Sequence, residues 1–414
     1  MILFHYYARL IDSSILCVRL LYRMLLQWEM TIYKSGNICY NKMNQYAYER
    51  QRIMKPCFFD ILKHFDLDIE PSSYGNGHIN DTYLVHSMQD YILQKINKNV
   101  FTNPPAVMEN ILGVTGYLRE KIIENGGNPD RETLTVICTT DGKPCYEDEN
   151  GDFYRVYKFI DNAKSYDLVE SPVQLYHAAK AFGKFQNMLA DYPAEKLHET
   201  IVDFHNTRVR YEQFKTALAN DKAGRAKDVA EEIKFVLDRE CDAGVVVDAI
   251  AEGRIPLRVT HNDTKLNNVL LDETTGEGVC VIDLDTVMPG SLLYDYGDAL
   301  RFGGSSGAED EKDLDKIWFR IENFEAFTRG FMEELPSMTE EERKLLPFSI
   351  KLMTLECGAR FLADYLNGDV YFKTHYPEHN LDRCRTQFKL VRDIEDHMDE
   401  LNGIVEKIYR EINQ

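Results

Sequence analysis

Apolar and polar residues follow two different spacings along this chain, and the change falls near residue 160. Between residues 55 and 160, short apolar runs alternate with turn residues. A hairpin is predicted from residues 82–85 and 91–94, and a second one around Asn150 and Gly151. One long helix is predicted from Pro104 to the glycines at 126–127, because apolar residues recur there at helical spacing: Val107, Ile111, Val114, Leu118 and Ile122.

Beyond residue 161 the spacing is mostly that of helices. The predicted helices cover residues 173–189, 209–218, 226–237, 316–332 and 345–366. Thr339 and Glu342 form a capping box ahead of the last one. The single strand-rich island is residues 268–285. We therefore expect an α+β fold with two lobes: a small sheet lobe with one main helix, and a larger, mostly helical lobe that contains a hairpin.

These patterns give three predicted regions, which are residues 1–53, 54–160 and 161–414. The first contains many Leu, Ile, Tyr and Met residues, but charged residues interrupt them at Arg9, Asp12, Arg19 and Arg23. That composition is atypical of a membrane span or a signal peptide. We interpret residues 1–53 as an extension, either an amphipathic appendage or translated sequence upstream of a true start at Met43 or Met54.

Charge and cysteine content exclude several classes of protein. The 414 residues include 68 acidic and 48 basic ones, for a formal net charge of −20. Such a balance disfavours nucleic acid and anionic membrane surfaces as partners. Nine cysteines occur without a C-x-x-C pair, so neither a disulfide framework nor a zinc ribbon is expected. Reduced thiols favour a cytoplasmic protein.

The stretch from His261 to Asn268 concentrates residues suited to phosphoryl transfer. Such chemistry needs a carboxylate for the acceptor hydroxyl, positive charge near the γ-phosphate, and metal ligands. Asp263 is the candidate base, and Lys265 can neutralise the moving phosphoryl group. Asn268 can give an oxygen to a metal ion, and the predicted hairpin after it folds Asp283 back beside the loop. Both oxygens suit Mg²⁺.

Two other interpretations of this stretch are weaker. The polar residues could be caps and solvated turns, but an Asp-x-Lys with an Asp-x-x-x-x-Asn spacing and a hairpin ending in Asp is a rare combination. A metal-dependent hydrolase would need several histidines to converge, and this stretch offers only His261. We expect the nearby Asp285, Asp295 and Asp298 to brace the loop, although Asp285 is placed to reach a second ion.

Several stretches together resemble a known group of enzymes. They are residues 74–83, 156–161, 261–268, 281–289, 295–298, 360–365 and 376–381. In these the chain resembles the aminoglycoside phosphotransferase and choline kinase superfamily, which is itself protein-kinase-like. More narrowly, it is similar to the bacterial N-acetylhexosamine 1-kinases. The resemblance runs from about residue 55 to residue 395, and residues before Met54 have no counterpart in it.

This resemblance implies a two-lobed kinase fold with a nucleotide cleft between the lobes. It implies Mg²⁺, ATP as co-substrate, and the anomeric hydroxyl of GlcNAc or GalNAc as the acceptor. His78, Arg360 and Tyr371 would contact the sugar together with Asp263. From the residues alone, Arg360 could equally form a structural ion pair, because Glu356 and Asp364 lie one helical turn on either side.

Expected nucleotide contacts are less specific. Lys95 at the end of a strand is a candidate for the α- and β-phosphates, with Glu109 of the following helix as its partner, or else a solvated strand-end lysine. Gln94 lies on the opposite face of that strand. Tyr157 and Phe159, in the stretch that joins the two lobes, are the other expected nucleotide contacts. The glycine loop at 74–80 is not a Walker A motif.

Two rival functions stay open. One is a kinase of the same fold for another small acceptor, such as an aminoglycoside, choline, homoserine or methylthioribose. The other is a nucleotide-binding pseudokinase. The presence of Asp263, Lys265, Asn268 and Asp283 together argues against the pseudokinase.

Overall fold

The computed structural model describes residues 58–75 and 79–414, and the first part of it is built on an antiparallel sheet. Its elements are α1 (Phe58–Lys63), β1 (Ser72–Ser73), β2 (Asp81–Val85), β3 (Tyr91–Ile96), α2 (Pro104–Glu124), α3 (Pro129–Glu132), β4 (Val136–Ile137), β5 (Tyr146–Glu147) and β6 (Phe153–Lys158). The strand order is β1-β2-β3-β6-β4, and β5 also pairs with β6.

The two predicted hairpins are confirmed. Strand β2 pairs with β3 so that Val85 faces Tyr91, across a turn in which the Asp90 carboxylate accepts the Ser87 N–H at 3.0 Å. The second hairpin joins β5 and β6, and Gly151 takes the left-handed conformation that its turn requires, with φ of 70°. Strand β4 is short, with only two residues, and it pairs with β6 next to the second hairpin.

Helix α2 packs across this sheet as its apolar spacing predicted. The side chain of Asn103 caps its first turn by accepting the Ala106 N–H, and Pro104 occupies a position where a missing N–H is harmless. All five residues of the predicted stripe are buried. After Asn125 the chain leaves the helix through Gly126 with a positive φ of 74°.

The remainder of the chain is mostly helical. Its elements are β7 (Ala163–Lys164), α4 (Pro172–Met188), α5 (Thr207–Asn220), α6 (Ala230–Leu237), α7 (Val245–Ala251), β8 (Arg258–Thr260), β9 (Val269–Asp272), β10 (Gly278–Val281), β11 (Met288–Gly290), α8 (Leu292–Gly303), α9 (Ile321–Glu333), α10 (Glu340–Asn367), α11 (His379–Asp396) and α12 (Met398–Ile412). The short strands form two further small sheets, β10-β9-β7 and β11-β8.

Helix α10 is the central element of the helical part, and it packs against α5, α8, α11 and α12. The predicted capping box is present, since Thr339 and Glu342 each accept the other's backbone N–H. Glu342 does more than cap the helix: it is fully buried and receives two hydrogen bonds from Arg258, at 2.7 and 2.8 Å. This pair ties the start of α10 to β8, the strand that leads into the loop of Asp263.

Some predicted helices differ from those observed. The helix expected over 316–332 begins only at Ile321, because Phe319 makes a strand-like bridge to Ser305 and donates its N–H to Asp393 at 2.6 Å. The prediction over 226–237 divides into a 3₁₀ turn and α6. Helices α7, α8, α11 and α12 were not predicted.

Residues 1–53, the first predicted region, lie outside the described residues. The boundary at residue 160 stays a prediction. The six cysteines in the described part are free thiols. None of the helices described is both long and apolar enough to cross a membrane.

Candidate active site

The loop after β8 is held from below by the first turn of α8. The Asp295 carboxylate there accepts the backbone N–H groups of His261 and Asn262, at 2.9 and 2.7 Å. Asn262 takes a left-handed conformation with φ of 65°, and its side chain donates to the Thr286 carbonyl at 2.9 Å. These bonds fix the chain just before Asp263, whose side chain is partly exposed. Asp295 thus braces the loop, as expected.

His261 is fully buried and has a structural role. Its Nδ1 accepts the Asp263 N–H at 3.2 Å, and its Nε2 donates to the Ile282 carbonyl at 2.8 Å. The rings of Phe182 and Phe185 pack edge-on against it. Since both ring nitrogens are occupied, His261 is unsuited to hold a metal ion, and the hydrolase interpretation loses its histidine.

Asp263, Lys265 and Asn268 come together as their spacing predicted. The Lys265 ammonium lies 2.6 Å from Asp263 Oδ1, and the Asn268 amide nitrogen donates to the Asp263 carbonyl at 2.7 Å and to Oδ2 at 3.2 Å. Burial opposes ionisation of Asp263, but Lys265, His261 and Asn268 outweigh it, so the pKa of Asp263 is lowered. The result is an ionised, part-exposed carboxylate.

The β9–β10 hairpin returns Asp283 to this loop. Val281 pairs with Val269, and the Ile282 N–H donates to the Asn268 carbonyl at 2.9 Å, so Asp283 follows directly beside Asn268. Asp283 has a left-handed φ of 58° and reaches solvent, although protein surrounds it on the other sides. Desolvation by that protein, together with the charges of Asp285 and Asp263, raises the pKa of Asp283 to about 7.

Asn268 and Asp283 fit a hard divalent cation. Because the Asn268 amide nitrogen is used by Asp263, its oxygen Oδ1 is the atom left for a ligand. A cation beside Asp283 would also relieve the repulsion between neighbouring carboxylates. No cluster of three or more His, Cys, Asp or Glu side chains suited to a metal occurs in the described part of the chain. Mg²⁺ commonly has only one or two protein ligands, with water and phosphate oxygens completing its shell.

A buried polar network connects the sheet to this hairpin, and the sequence did not reveal it. Arg155 of β6 is 1% exposed and pairs with the Asp285 carboxylate, which also accepts from the Asn80 side chain at 2.6 Å. The Gln94 side-chain oxygen accepts two bonds from Arg155, at 3.0 and 2.8 Å. Asp285, which lies two residues after Asp283, is thus paired with an arginine from the sheet.

The expected ion pair between Lys95 and Glu109 is not formed. Lys95 pairs with Asp152 at 2.5 Å, and Glu109 lies 2.6 Å from His198 Nε2. The reason is strand alternation, since Gln94 rather than Lys95 is on the face that meets Arg155. That Lys95 or Glu109 contacts a nucleotide stays a prediction.

Tyr157 and Phe159 lie at different depths. Tyr157 is 5% exposed, its hydroxyl has no hydrogen-bond partner in the described part, and its ring centroid is 5.1 Å from the Arg155 guanidinium. It therefore offers little surface to a nucleotide. Phe159 is partly exposed and meets the Tyr74 ring of the glycine loop edge-on, with 6.0 Å between ring centroids. Phe159 is thus the more accessible of the two.

Arg360 lies among aromatic rings rather than in an ion pair. Its guanidinium is 5.5 Å from the ring centroids of Phe204 and Phe372, and 5.9 Å from that of Tyr371. Within the residues that the structure describes, no hydrogen bond or carboxylate contact reaches this guanidinium. All five of its N–H donors are therefore available to a ligand.

The two acids considered as partners of Arg360 have other roles. Asp364 accepts the backbone N–H groups of Val370, Tyr371 and Phe372 at 2.8 to 3.0 Å, so it shapes the loop that carries Tyr371. Glu356 accepts from Thr207 at 2.6 Å and lies 2.9 Å from His205 Nδ1. Neither acid therefore forms a close salt bridge with Arg360, although the Arg360 charge still acts on Glu356. Tyr371 is 65% exposed, and His78 lies outside the described residues.

His205 connects the Arg360 region to the loop of Asp263. Its other nitrogen, Nε2, is 3.2 Å from the carbonyl of Asn262, and its ring packs on Phe204 at 4.5 Å. Burial opposes ionisation of Glu356, but hydrogen bonding and charge from His205, with Thr207 and the Arg360 charge, lower its pKa. His205 and Phe204 carried no sequence signal, because nothing in their spacing relates them to residues 262 or 356.

Comparisons with known proteins indicate the family and the fold. A family model described as the phosphotransferase enzyme family (APH) matches residues 72–334, more than half of the chain. A solved microcompartment-associated aminopropanol kinase is similar with a TM-score of 0.51 and 16% identity, over 83% of this chain and 98% of its own. A choline kinase from Cryptosporidium parvum Iowa II has a TM-score of 0.50 and 16% identity, over 87% and 97%.

An amicoumacin kinase in complex with AMP-PNP, Ca²⁺ and its ligand has a TM-score of 0.50 and 14% identity, over 79% of this chain and 88% of its own. At such identities the shared property is the fold. The expected α+β, two-lobed kinase-like fold is confirmed.

Proposed function

Because this chain belongs to the phosphotransferase enzyme family, we propose that it transfers the γ-phosphate of ATP to the anomeric hydroxyl of GlcNAc or GalNAc. The observation that carries the acceptor proposal is the Arg360 guanidinium, which has no carboxylate partner among the described residues and is surrounded by aromatic rings. An N-acetylhexosamine offers an apolar ring face to the aromatic side chains and oxygens to the guanidinium.

In this proposal Asp263 orients the acceptor hydroxyl and takes its proton as the oxygen attacks the γ-phosphorus. The lowered pKa of Asp263 keeps it ionised at neutral pH, as a proton acceptor must be. Lys265, 2.6 Å away, lies where it can neutralise charge on the transferred group. The bond from the γ-phosphorus to the bridging oxygen of ADP breaks, and the products are ADP and the sugar 1-phosphate.

Asn268 Oδ1 and Asp283 would hold Mg²⁺ together with phosphate oxygens of ATP. The ion supplies neutralisation of the triphosphate charge. The chain's own contribution is to fix the two oxygens, which it does through the hydrogen bonds of Asn268 to Asp263 and the hairpin pairing that returns Asp283.

We place the nucleotide between the sheet and the catalytic loop, with the boundary of the two lobes near residue 160. Phe159 is partly exposed and Tyr74 is exposed, so we propose both as aromatic contacts of the nucleotide. The free thiols of the described part suit a reducing compartment, so the proposal places the enzyme in the cytoplasm.

The experiment is an ADP-release assay with Mg-ATP over a panel of acceptors, followed by phosphorus NMR of the product. We expect a sugar 1-phosphate from GlcNAc or GalNAc. A 6-phosphate, or a preference for an aminoglycoside, choline, homoserine or methylthioribose, would overturn the acceptor but leave the kinase class intact. Nucleotide binding without turnover of any acceptor would instead indicate a pseudokinase.

A further inference from the structure

A second arginine, Arg210, lies near Arg360. Arg210 is in the first turn of α5, and its guanidinium carbon is 5.9 Å from the centroid of the same Phe204 ring that Arg360 approaches at 5.5 Å. Its Nε and Nη2 donate to the Phe204 carbonyl at 3.0 and 2.7 Å, and Nη1 donates to the Gln213 side chain at 3.0 Å. These bonds fix Arg210 firmly.

Neither arginine is paired with a carboxylate in the part of the chain described. The nearby Glu356 is bonded to His205 and Thr207, and the nearby Asp203 accepts from Asn206 at 2.9 Å. Desolvation and the charge of Arg360 lower the pKa of Arg210, while Glu356, Tyr371 and Asp203 act in the opposite direction. Glu356 is buried, whereas both arginines are partly exposed, so a ligand at this place would meet the guanidiniums before it meets the Glu356 carboxylate.

Two half-buried like charges are unfavourable unless something compensates them. The Glu356 carboxylate compensates part of this charge from the buried side. A ligand with oxygen atoms can compensate the rest from the solvent side, since guanidinium groups only donate hydrogen bonds. The place is next to the proposed chemistry, because Phe204 adjoins His205, whose Nε2 is 3.2 Å from the carbonyl of Asn262. Asn262 immediately precedes Asp263.

We infer that Arg210 and Arg360 together select the charge of the acceptor: oxygen-rich neutral or anionic acceptors bind, and cationic ones are rejected. This inference rests on the proposed function and narrows its substrate class. Arg210 acts as a specificity-determining residue, through its charge rather than through the phosphoryl-transfer step. A positively charged amine brought close to two guanidiniums loses affinity by Coulomb repulsion, which the nearby low-dielectric rings strengthen.

The test compares kcat/KM for GlcNAc, glucose and glucosamine, since glucose and glucosamine differ at one position by a hydroxyl against an ammonium group. We expect the wild type to prefer glucose over glucosamine by at least about 10-fold. Arg210→Gln should reduce that ratio several-fold while KM for ATP holds, and Arg210→Lys should retain it. Arg360→Gln, as a second variant, should reduce the ratio in the same direction.

Arg208→Gln is the matched control, because Arg208 is in the same helical turn but is exposed and paired with Asp248. It should leave every ratio unchanged. An unchanged glucose-to-glucosamine ratio in folded Arg210→Gln and Arg360→Gln would overturn the inference, as would a cationic acceptor being phosphorylated best. If a neutral non-sugar acceptor proves best, the same ratio is measured with its amino analogue. If Arg210→Gln lowers the ratio of kcat/KM for that acceptor to kcat/KM for its amino analogue, the inference is supported although the sugar proposal fails.

Discussion

Asp263 owes its chemistry to neighbours within five residues. Lys265 and Asn268 hold its two carboxylate oxygens, at 2.6 and 3.2 Å, and both favour the ionised form. The position of the carboxylate is set by the same contacts, so its charge and its geometry cannot be changed independently. Asn at this site keeps the shape of the side chain, but it loses the negative charge and replaces one acceptor oxygen with a donor NH2 group.

We predict that Asp263→Asn lowers kcat by about 100-fold or more, the range for a lost general base, while the melting temperature and ATP affinity change little. The amide keeps the shape of the side chain but cannot take the acceptor's proton. Steady-state kinetics with nucleotide titration would measure this. Asp238→Asn, an exposed helix-end change, is the control. Near-normal turnover in Asp263→Asn would remove the assignment.

Asp283 has the opposite property, because its pKa of about 7 means that the fold disfavours its ionised form. Its unfolded pKa is about 3.9. Between about pH 4 and pH 7 the folded chain therefore holds a proton that the unfolded chain has lost. The free energy of unfolding falls as pH rises across this window and then levels off.

We predict that Asp283→Asn, in excess chelator, raises the melting temperature by about 1 to 3 °C at pH 8 and hardly at all at pH 4.5. With saturating Mg-ADP at pH 8 the wild type should instead have the higher melting temperature, because only the wild type retains the carboxylate for the ion. Thermal unfolding at both pH values would show it. A destabilised Asn variant in chelator at pH 8 would contradict the pKa argument.

At the scale of elements, the close approach of α8 and α10 positions the catalytic loop. Gly297 of α8 has no room for a side chain, since an added Cβ would lie 2.5 Å from the Ser349 carbonyl oxygen and 2.6 Å from Met353 Cγ. Two residues earlier in α8, Asp295 holds the loop through two backbone N–H groups. The distance between α8 and α10 therefore affects the position of the Asp263 loop.

We predict that Gly297→Ala destabilises the fold by about 1–3 kcal/mol through overpacking, and also lowers kcat because Asp295 moves. Urea unfolding and kinetics would measure the two effects. Gly403→Ala in α12 is the matched control: an added Cβ meets nothing within 4 Å there. The control should gain about 0.5–1 kcal/mol. Equal responses of the two variants would refute the packing argument.

At the scale of the whole molecule, one buried ion pair connects the sheet to the hairpin of the helical part. Arg155 and Asp285 are separated by 130 residues and are 1% and 3% exposed. Asn80, at the end of the glycine loop, bonds to the same carboxylate. Asn80, the sheet and the Asp283 turn are thereby connected through one carboxylate.

We predict that Arg155→Met destabilises the protein by about 3–5 kcal/mol, because it leaves Asp285 buried without a partner charge. Adding Asp285→Asn to that variant should recover part of the loss, which a double-mutant cycle by urea unfolding would measure. Arg119→Met, which removes an ion pair at the surface, should change stability by less than about 1 kcal/mol. If the two substitutions changed the free energy of unfolding additively in the double variant, a coupling between Arg155 and Asp285 would be ruled out.

The sequence by itself determined the features whose partners are near in the chain. The hairpins, the stripe of α2, the helix over 345–366, the capping box at Thr339 and the cluster of Asp263, Lys265 and Asn268 all depend on spacings of a few residues. Hydrophobic periodicity and turn chemistry encode these directly. The expected family followed from the same local motifs. The position of Asp283 beside this cluster could also be predicted, because a single short hairpin brings it back to the loop.

Only the tertiary structure decided the contacts between distant residues. Periodicity shows that a strand has two faces but not which face meets the other lobe, so Lys95 was assigned Glu109, while Gln94 and Arg155 face the network. Asp364 and Glu356 lie one helical turn from Arg360, yet Asp364 accepts hydrogen bonds from the loop of Tyr371 and Glu356 bonds to His205. Arg210 and Phe204 join Arg360 only because α5 packs against α10. The positive charge beside the catalytic loop is therefore a property of the fold, because helix packing and not chain order sets which charges meet.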